Sequence, residues 1–137
     1  MLRSLIMARE WEEYGQGPRT TPADKLYASL NWRGDIVING RTHSELERPS
    51  HVVLLFERRT GTIGLRPTLP DAKNAFRVRH NGRGTSRLVH CSRFLREKGV
   101  SVARTVSFPT ARVEHGVLLL ELKYRVPAIV KRRPSKP

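Results

Sequence analysis

Residues 51–67 read HVVLLFERRTGTIGLRP. Positions 52–56 form a short run of β-branched, aliphatic and aromatic side chains, the length of a strand rather than of an ordinary helix. Positions 58–61 are polar and contain Gly61, and 62–66 read as strand again. Two such runs about a glycine turn predict a hairpin. On its N-terminal side, 27–32 and 36–38 read as short strands about a turn at Arg33, Gly34 and Asp35. Asn39 offers a side-chain acceptor for a helix N-terminus. Residues 42–48 then fit one or two helical turns, stopped before Pro49.

Beyond the separator 67–74 (PTLPDAKN) the same order returns. Residues 76–80 read as a strand, 81–85 (NGRGT) as a glycine turn and 87–90 as a short strand. Residues 92–98 read as a helix with Ser92 as N-cap, closed by Gly99. A strand at 105–108, a turn at 109–115 and a strand at 116–123 follow, and 124–130 is expected to extend or cover the sheet edge. The run 117–120 is continuously apolar, as in a strand covered on both faces. Leu119 is therefore expected in the core, where Leu119→Asp would bury a charge and collapse the fold. Each unit is β-β-α-β-β and too small to bury much core alone. Duplicated units of this kind bury their apolar faces against each other. The expected fold is mainly β with short helices, the two units interleaved as one pseudo-dimeric barrel. The expected domain is 27–126, with repeats at 27–66 and 76–123. Residues 1–26 read as an N-terminal segment and partly flexible linker, and 127–137 as a basic, disordered tail.

The 137-residue chain carries 26 Lys and Arg against 12 Asp and Glu, a net charge of +14. Residues 1–26 are neutral, 27–70 carry +2 and 71–137 carry +12. A half-chain so charged, mostly by arginine, favours polyanions, because the planar guanidinium matches phosphate and base edges. No window approaches the roughly 20 apolar residues of a membrane helix. A single cysteine forms no internal disulfide and excludes a four-cysteine zinc site. The apolar run 2–7 is too short and interrupted for a secretory signal, so a cytoplasmic protein is expected, starting at Met1 or Met7.

The stretch 86–100, SRLVHCSRFLREKGV, resembles the AbrB/SpoVT swapped-hairpin family of bacterial transcription regulators. Arg87 falls on the family's loop arginine, Leu88 and Val89 on its apolar pair, Arg96 on a helix arginine, and Gly99-Val100 on its closing pair. RVRH at 77–80 lies where the family places a further basic residue. The first unit, GDIVINGRTHSELE at 34–47, has the same layout but carries Asp35 at the basic position and Glu45 on the helix. The resemblance covers about 27–123 in two copies, similar to the MraZ branch, where one chain supplies both halves. It implies two hairpin units swapped into one small β-barrel, whose loops and helices present arginines to DNA. By the same comparison the first unit keeps a packing role.

Arg77, Arg79, Arg83, Arg87, Arg93 and Arg96 are the expected nucleic-acid contacts. Arg77 and Arg79 share a face on one strand, and Arg93 and Arg96 share a helix face. The alternative for these residues is a solvated basic face with local ion pairs, for example to Glu97. The histidines show no metal-ligand spacing, His90 and Cys91 point to opposite faces of a strand, and no paired carboxylates or phosphate-binding loop appear. Neither enzyme, metal nor cofactor is expected. Cys91 reads as a buried filler and Trp32 as packed in the core or at a barrel edge, with stacking on a base beside Arg33 as the less favoured alternative. Residues 11–14, WEEY, form a candidate helical turn that could dock a protein partner. Two functions follow. The first is a cytoplasmic transcription regulator binding double-stranded DNA, monomeric or homodimeric. The second is a non-enzymatic, antitoxin-like or structural interaction module on the same scaffold. RNA association shares the electrostatics but lacks an aromatic ladder.

Overall fold

The structure, a computed structural model, describes residues 10–13 and 25–128. Among the described residues eleven strands and two short helices follow in order: β1 (Ala28–Leu30), β2 (Asp35–Ile38), α1 (Gly40–Glu45), β3 (His51–Glu57), β4 (Thr62–Thr68), β5 (Phe76–Arg77), β6 (Arg79–His80), β7 (Arg87–His90), α2 (Ser92–Glu97), β8 (Val106–Ser107), β9 (Arg112–Glu114), β10 (Val117–Glu121) and β11 (Val126–Pro127). A 3-10 turn, Leu122–Tyr124, precedes β11. The class is mainly β, as expected.

Two antiparallel sheets result. One runs β11-β8-β1-β2-β7-β6 and the other β5-β3-β4-β10-β9. The hairpin at 51–67 forms over seven residue pairs, from His51↔Thr68 to Glu57↔Thr62. Neither unit builds a sheet alone. In the first sheet β2 pairs with β7, from Asp35↔His90 to Ile38↔Arg87. In the second, β4 pairs with β10, from Leu65↔Leu118 to Thr62↔Glu121.

The expected barrel is not closed. Hydrogen bonding ends at β11 and β6 in one sheet and at β5 and β9 in the other. The edge strands are two or three residues long, and Pro127 lacks the N–H that a further ladder would need. The single strand expected at 76–80 is divided between the sheets. Arg77 lies opposite His51 in one and Arg79 opposite Leu88 in the other. The chain crosses at Val78, whose N–H donates to the Ser50 carbonyl at 2.8 Å. Arg77 and Arg79 therefore do not share one strand face. Part of the expected turn at 109–115 is β9, and the tight turn is His115-Gly116, both at positive φ (52° and 78°). Such a two-residue connection matches the twist of the strands it joins.

The inner faces of both sheets meet in one core cluster, which includes Ile36, Ile38, Val89, Ile63, Leu65, Leu118 and Leu120. β10 alternates: Leu118 and Leu120 are fully buried, while Val117, Leu119 and Glu121 are half-buried on the outer face. The strand is thus covered closely on one face only, and Leu119 is not a core residue.

Asn39 caps α1 as expected, its Oδ1 accepting the Thr42 N–H at 2.9 Å. The helix begins at Gly40 and ends at Glu45, since Glu47 and Arg48 turn the chain at positive φ (65° and 51°). α2 starts at Ser92 itself, with Cys91 as the capping residue and no side-chain cap bond. It closes through Val100 N–H to Leu95 O (2.8 Å) and Gly99 N–H to Arg96 O (3.1 Å). Trp11 to Glu13 carry no helix, and Tyr14, the linker at 15–23 and the tail beyond Ala128 lie outside the described residues. No helix among the described residues is long and apolar enough to cross a membrane.

Candidate nucleic-acid interface

The β1–β2 turn is built by its sequence. Gly34 N–H donates to Asn31 O at 3.0 Å, with asparagine first and glycine fourth, the positions a β-turn favours for them. The Asn31 Oδ1 accepts from Arg33 N–H (2.9 Å) and Asp35 N–H (3.1 Å). Gly34 has φ +87°, and a Cβ there would lie 2.6 Å from the Ser92 Cα. Cys91 N–H donates to Gly34 O at 2.9 Å. The turn of the first unit is therefore seated on the start of α2 of the second. Trp32 and Arg33 hold the two central positions and face outward. Trp32 is 68% exposed, which corrects the expected packing in the core or at a barrel edge. The Arg33 guanidinium lies over its indole, 5.7 Å from the centroid.

The reciprocal arrangement joins α1 to the β6–β7 turn. Asn81 N–H donates to Ser86 O at 3.1 Å, and Ser86 Oγ to Ile38 O at 3.3 Å. Gly40 lies so close to Thr85 that an added Cβ would collide with it. Arg87 Nη1 donates to the carbonyls of Gly84 (3.2 Å) and Ser86 (3.0 Å), which fixes its guanidinium beside this turn.

Each junction is concave. The first cleft, about 490 Å³, is lined by Trp32, Arg33, Arg96 and Ser101 among others. The second, about 380 Å³, is lined by Arg41, His43, Arg48, Thr85 and Arg87 among others. Both mix a turn of one unit with the helix of the other. Of the arginines expected from sequence, Arg87 lines one cleft and Arg96 the other. Arg79 and Arg83 lie on the exposed hairpin that carries Arg87, Arg93 is exposed on α2, and Arg77 sits on the other sheet. The two ends of β7 are about 10 Å apart at strand rise, so the six do not form one patch. Arg33, Arg41 and Arg48 of the first unit were not among the expected contacts. The Asn31-x-x-Gly34 spacing, which forces its central side chains outward, was the available signal for Arg33.

Asp35 is 9% exposed and turned inward. Its Oδ1 lies 2.5 Å from His90 Nδ1, and its Oδ2 accepts from Asn31 Nδ2 at 3.3 Å. The carboxylate holds the turn. Arg33 lies 4.0 Å from the inward-turned Asp35, whereas Arg41 to Glu45 (3.2 Å) and Arg93 to Glu97 (3.4 Å) are solvent-exposed pairs. Such pairs are worth about 0–1 kcal/mol, so they yield readily to a phosphate. Among the described residues Arg48 and Arg96 make no ion pair. Glu114 and Glu121 are both taken by Arg112 on the second sheet. The hydrogen bond from Arg112 holds the Glu121 carboxyl below its usual range. Among the described residues no three His, Cys, Asp or Glu side chains gather where they could hold a metal. No protein-family model, curated protein or solved structure matches this chain.

Cys91 is buried, and desolvation pushes its thiol up to about 12. Its Sγ donates to Gly34 O at 3.3 Å. The folded protein should resist an aromatic disulfide reagent at pH 8 and react promptly in denaturant. Because the folded value lies above the unfolded one, the stabilisation is present below pH 9 and is lost as pH rises toward 12. The wild type should lose roughly 1.4 kcal/mol per pH unit in that window relative to Cys91→Ala. Urea titrations of both at pH 8 and pH 10.5 check this. Parallel pH profiles would show that the thiol is not protected.

Proposed function

We propose that the protein is a cytoplasmic, non-enzymatic regulator that binds double-stranded DNA, its two units forming a pseudo-dimeric swapped-hairpin scaffold of the AbrB/SpoVT kind. The observation that carries this reading is the pair of inter-unit clefts, each bringing guanidiniums of both units onto one concave surface. The β2–β7 and β4–β10 pairings support the scaffold, since in both sheets two adjacent strands of the first unit are flanked by strands of the second. The net charge of +14 supports the ligand class. Phosphate contacts position such a protein on the duplex, and one or two arginines reaching base edges would supply sequence preference. Arg79 and Arg83, on the hairpin beside the second cleft, extend the basic surface.

The test is affinity for mixed-sequence duplex against salt. Five cleft arginines (Arg33, Arg41, Arg48, Arg87 and Arg96) engaging five phosphates predict a log–log slope of about −4.5. A flat response would sink the reading. A protein-interaction module is the second reading. It is favoured by the outer face of the second sheet, where half-buried Leu55, Val117 and Leu119 surround Gly64.

A further inference from the structure

We infer that the first cleft is a nucleotide site, in which an aromatic base stacks on Trp32 and its phosphate is held by Arg33 and Arg96. This rests on the reading that these two guanidiniums take phosphate, and adds a base-binding role that backbone contact does not need. Large aromatic rings bury 150–250 Å² when they can, so an indole left open needs a reason. Trp32 is 68% exposed. It is not on a loose loop. Its turn is closed by Gly34 N–H to Asn31 O (3.0 Å), tied by the Asn31 side chain, and clamped to α2 by Cys91 N–H to Gly34 O (2.9 Å). The backbone that carries the ring is thus fixed at the rim of a cleft. The Arg33 guanidinium lies over the indole, 5.7 Å from its centroid, and sets a positive charge beside the stacking surface.

The cleft below the ring has the other half of the chemistry. Arg96 lines it and makes no ion pair among the described residues. Ser92 and Ser101 line it too and offer hydroxyls, while Leu95 and Val102 give it an apolar floor. A flat π-surface, an unpaired guanidinium and hydroxyl donors along one cleft match a base joined to a phosphate. Stacking tolerates any base because every base has a π-face. The nucleotide could be free or an unpaired position of a single strand, and the two sources share this chemistry.

Trp11→Phe leaves Trp32 as the sole tryptophan, so its emission reports the site. Adenosine monophosphate and a short oligothymidylate are titrated separately, with inorganic phosphate and adenosine as controls. Saturable quenching by either nucleotide probe, at least about tenfold tighter than by adenosine, supports the site; the probe that quenches identifies the source. Trp32→Ala should weaken nucleotide binding about tenfold or more by dialysis, and Trp32→Phe should restore most of it. Arg96→Gln should erase the advantage of the monophosphate over adenosine. The inference is overturned if neither nucleotide probe quenches at millimolar concentration, if inorganic phosphate quenches equally, or if Trp32→Ala binds nucleotide as before. Duplex affinity is measured alongside. Duplex binding without nucleotide quenching removes this site alone, and quenching without duplex binding removes the duplex reading alone.

Discussion

Leu118→Asp should leave the chain unfolded at room temperature, while Leu119→Asp folds. The two leucines are neighbours on β10 and face opposite ways. Leu118 is fully buried, between Leu65 on β4 and Val113 on β9. Losing a buried leucine side chain costs about 2–5 kcal/mol. Placing an ionised carboxylate there adds several kcal/mol more after relaxation. Together these rival the whole stability of a domain this size, about 5–15 kcal/mol. Leu119 lies on the outer face, opposite Gly64 and Arg112. An aspartate there meets solvent and a neighbouring guanidinium. Circular dichroism with a urea titration separates the outcomes. A folded Leu118→Asp beside an unfolded Leu119→Asp would mean that the faces of β10 are reversed.

That pair also shows which parts of the molecule were legible in the sequence. Local chemistry was. The hairpin at 51–67, the Asn39 cap, the strand Arg87–His90 and the closure of α2 at Gly99 depend on residues within a few positions of one another. The composition of each sheet was not. Whether β2 meets β7, and whether 76–80 stays in one sheet or crosses at Val78, depends on partners some fifty residues away along the chain or in another sheet. A continuous apolar run at 117–120 also hides the period of two, because an outer face can be aliphatic without being covered. In the candidate site, ring size and hydrophobicity favoured packing of Trp32 in the core or at a barrel edge, whereas the turn set by Asn31 and Gly34 turned it out. Asp35 read as an obstacle to DNA contact because its sequence position says nothing of direction. Its carboxylate faces His90 and Asn31, within the turn.

Removing arginines from both clefts should weaken duplex binding far more than removing them from either. The two clefts sit at opposite ends of the β2–β7 ladder, and each takes guanidiniums from both units. A duplex carries one charge per about 1.7 Å of axis, so a separation near 10 Å offers phosphates to both at once. If affinities converge near 1 M salt, each lost phosphate contact costs about eightfold at 0.1 M. Arg33→Gln with Arg96→Gln should therefore lose about sixtyfold, and Arg48→Gln with Arg87→Gln about the same. The fourfold variant should lose about four-thousandfold, and its salt slope should fall by about 3.6. Arg87 also braces the carbonyls of Gly84 and Ser86, so its variants need a thermal unfolding check. With folding intact, additive losses would place one duplex across both junctions. If the fourfold variant binds no worse than the weaker of the two doubles, a single cleft makes the contact and the other has a separate ligand.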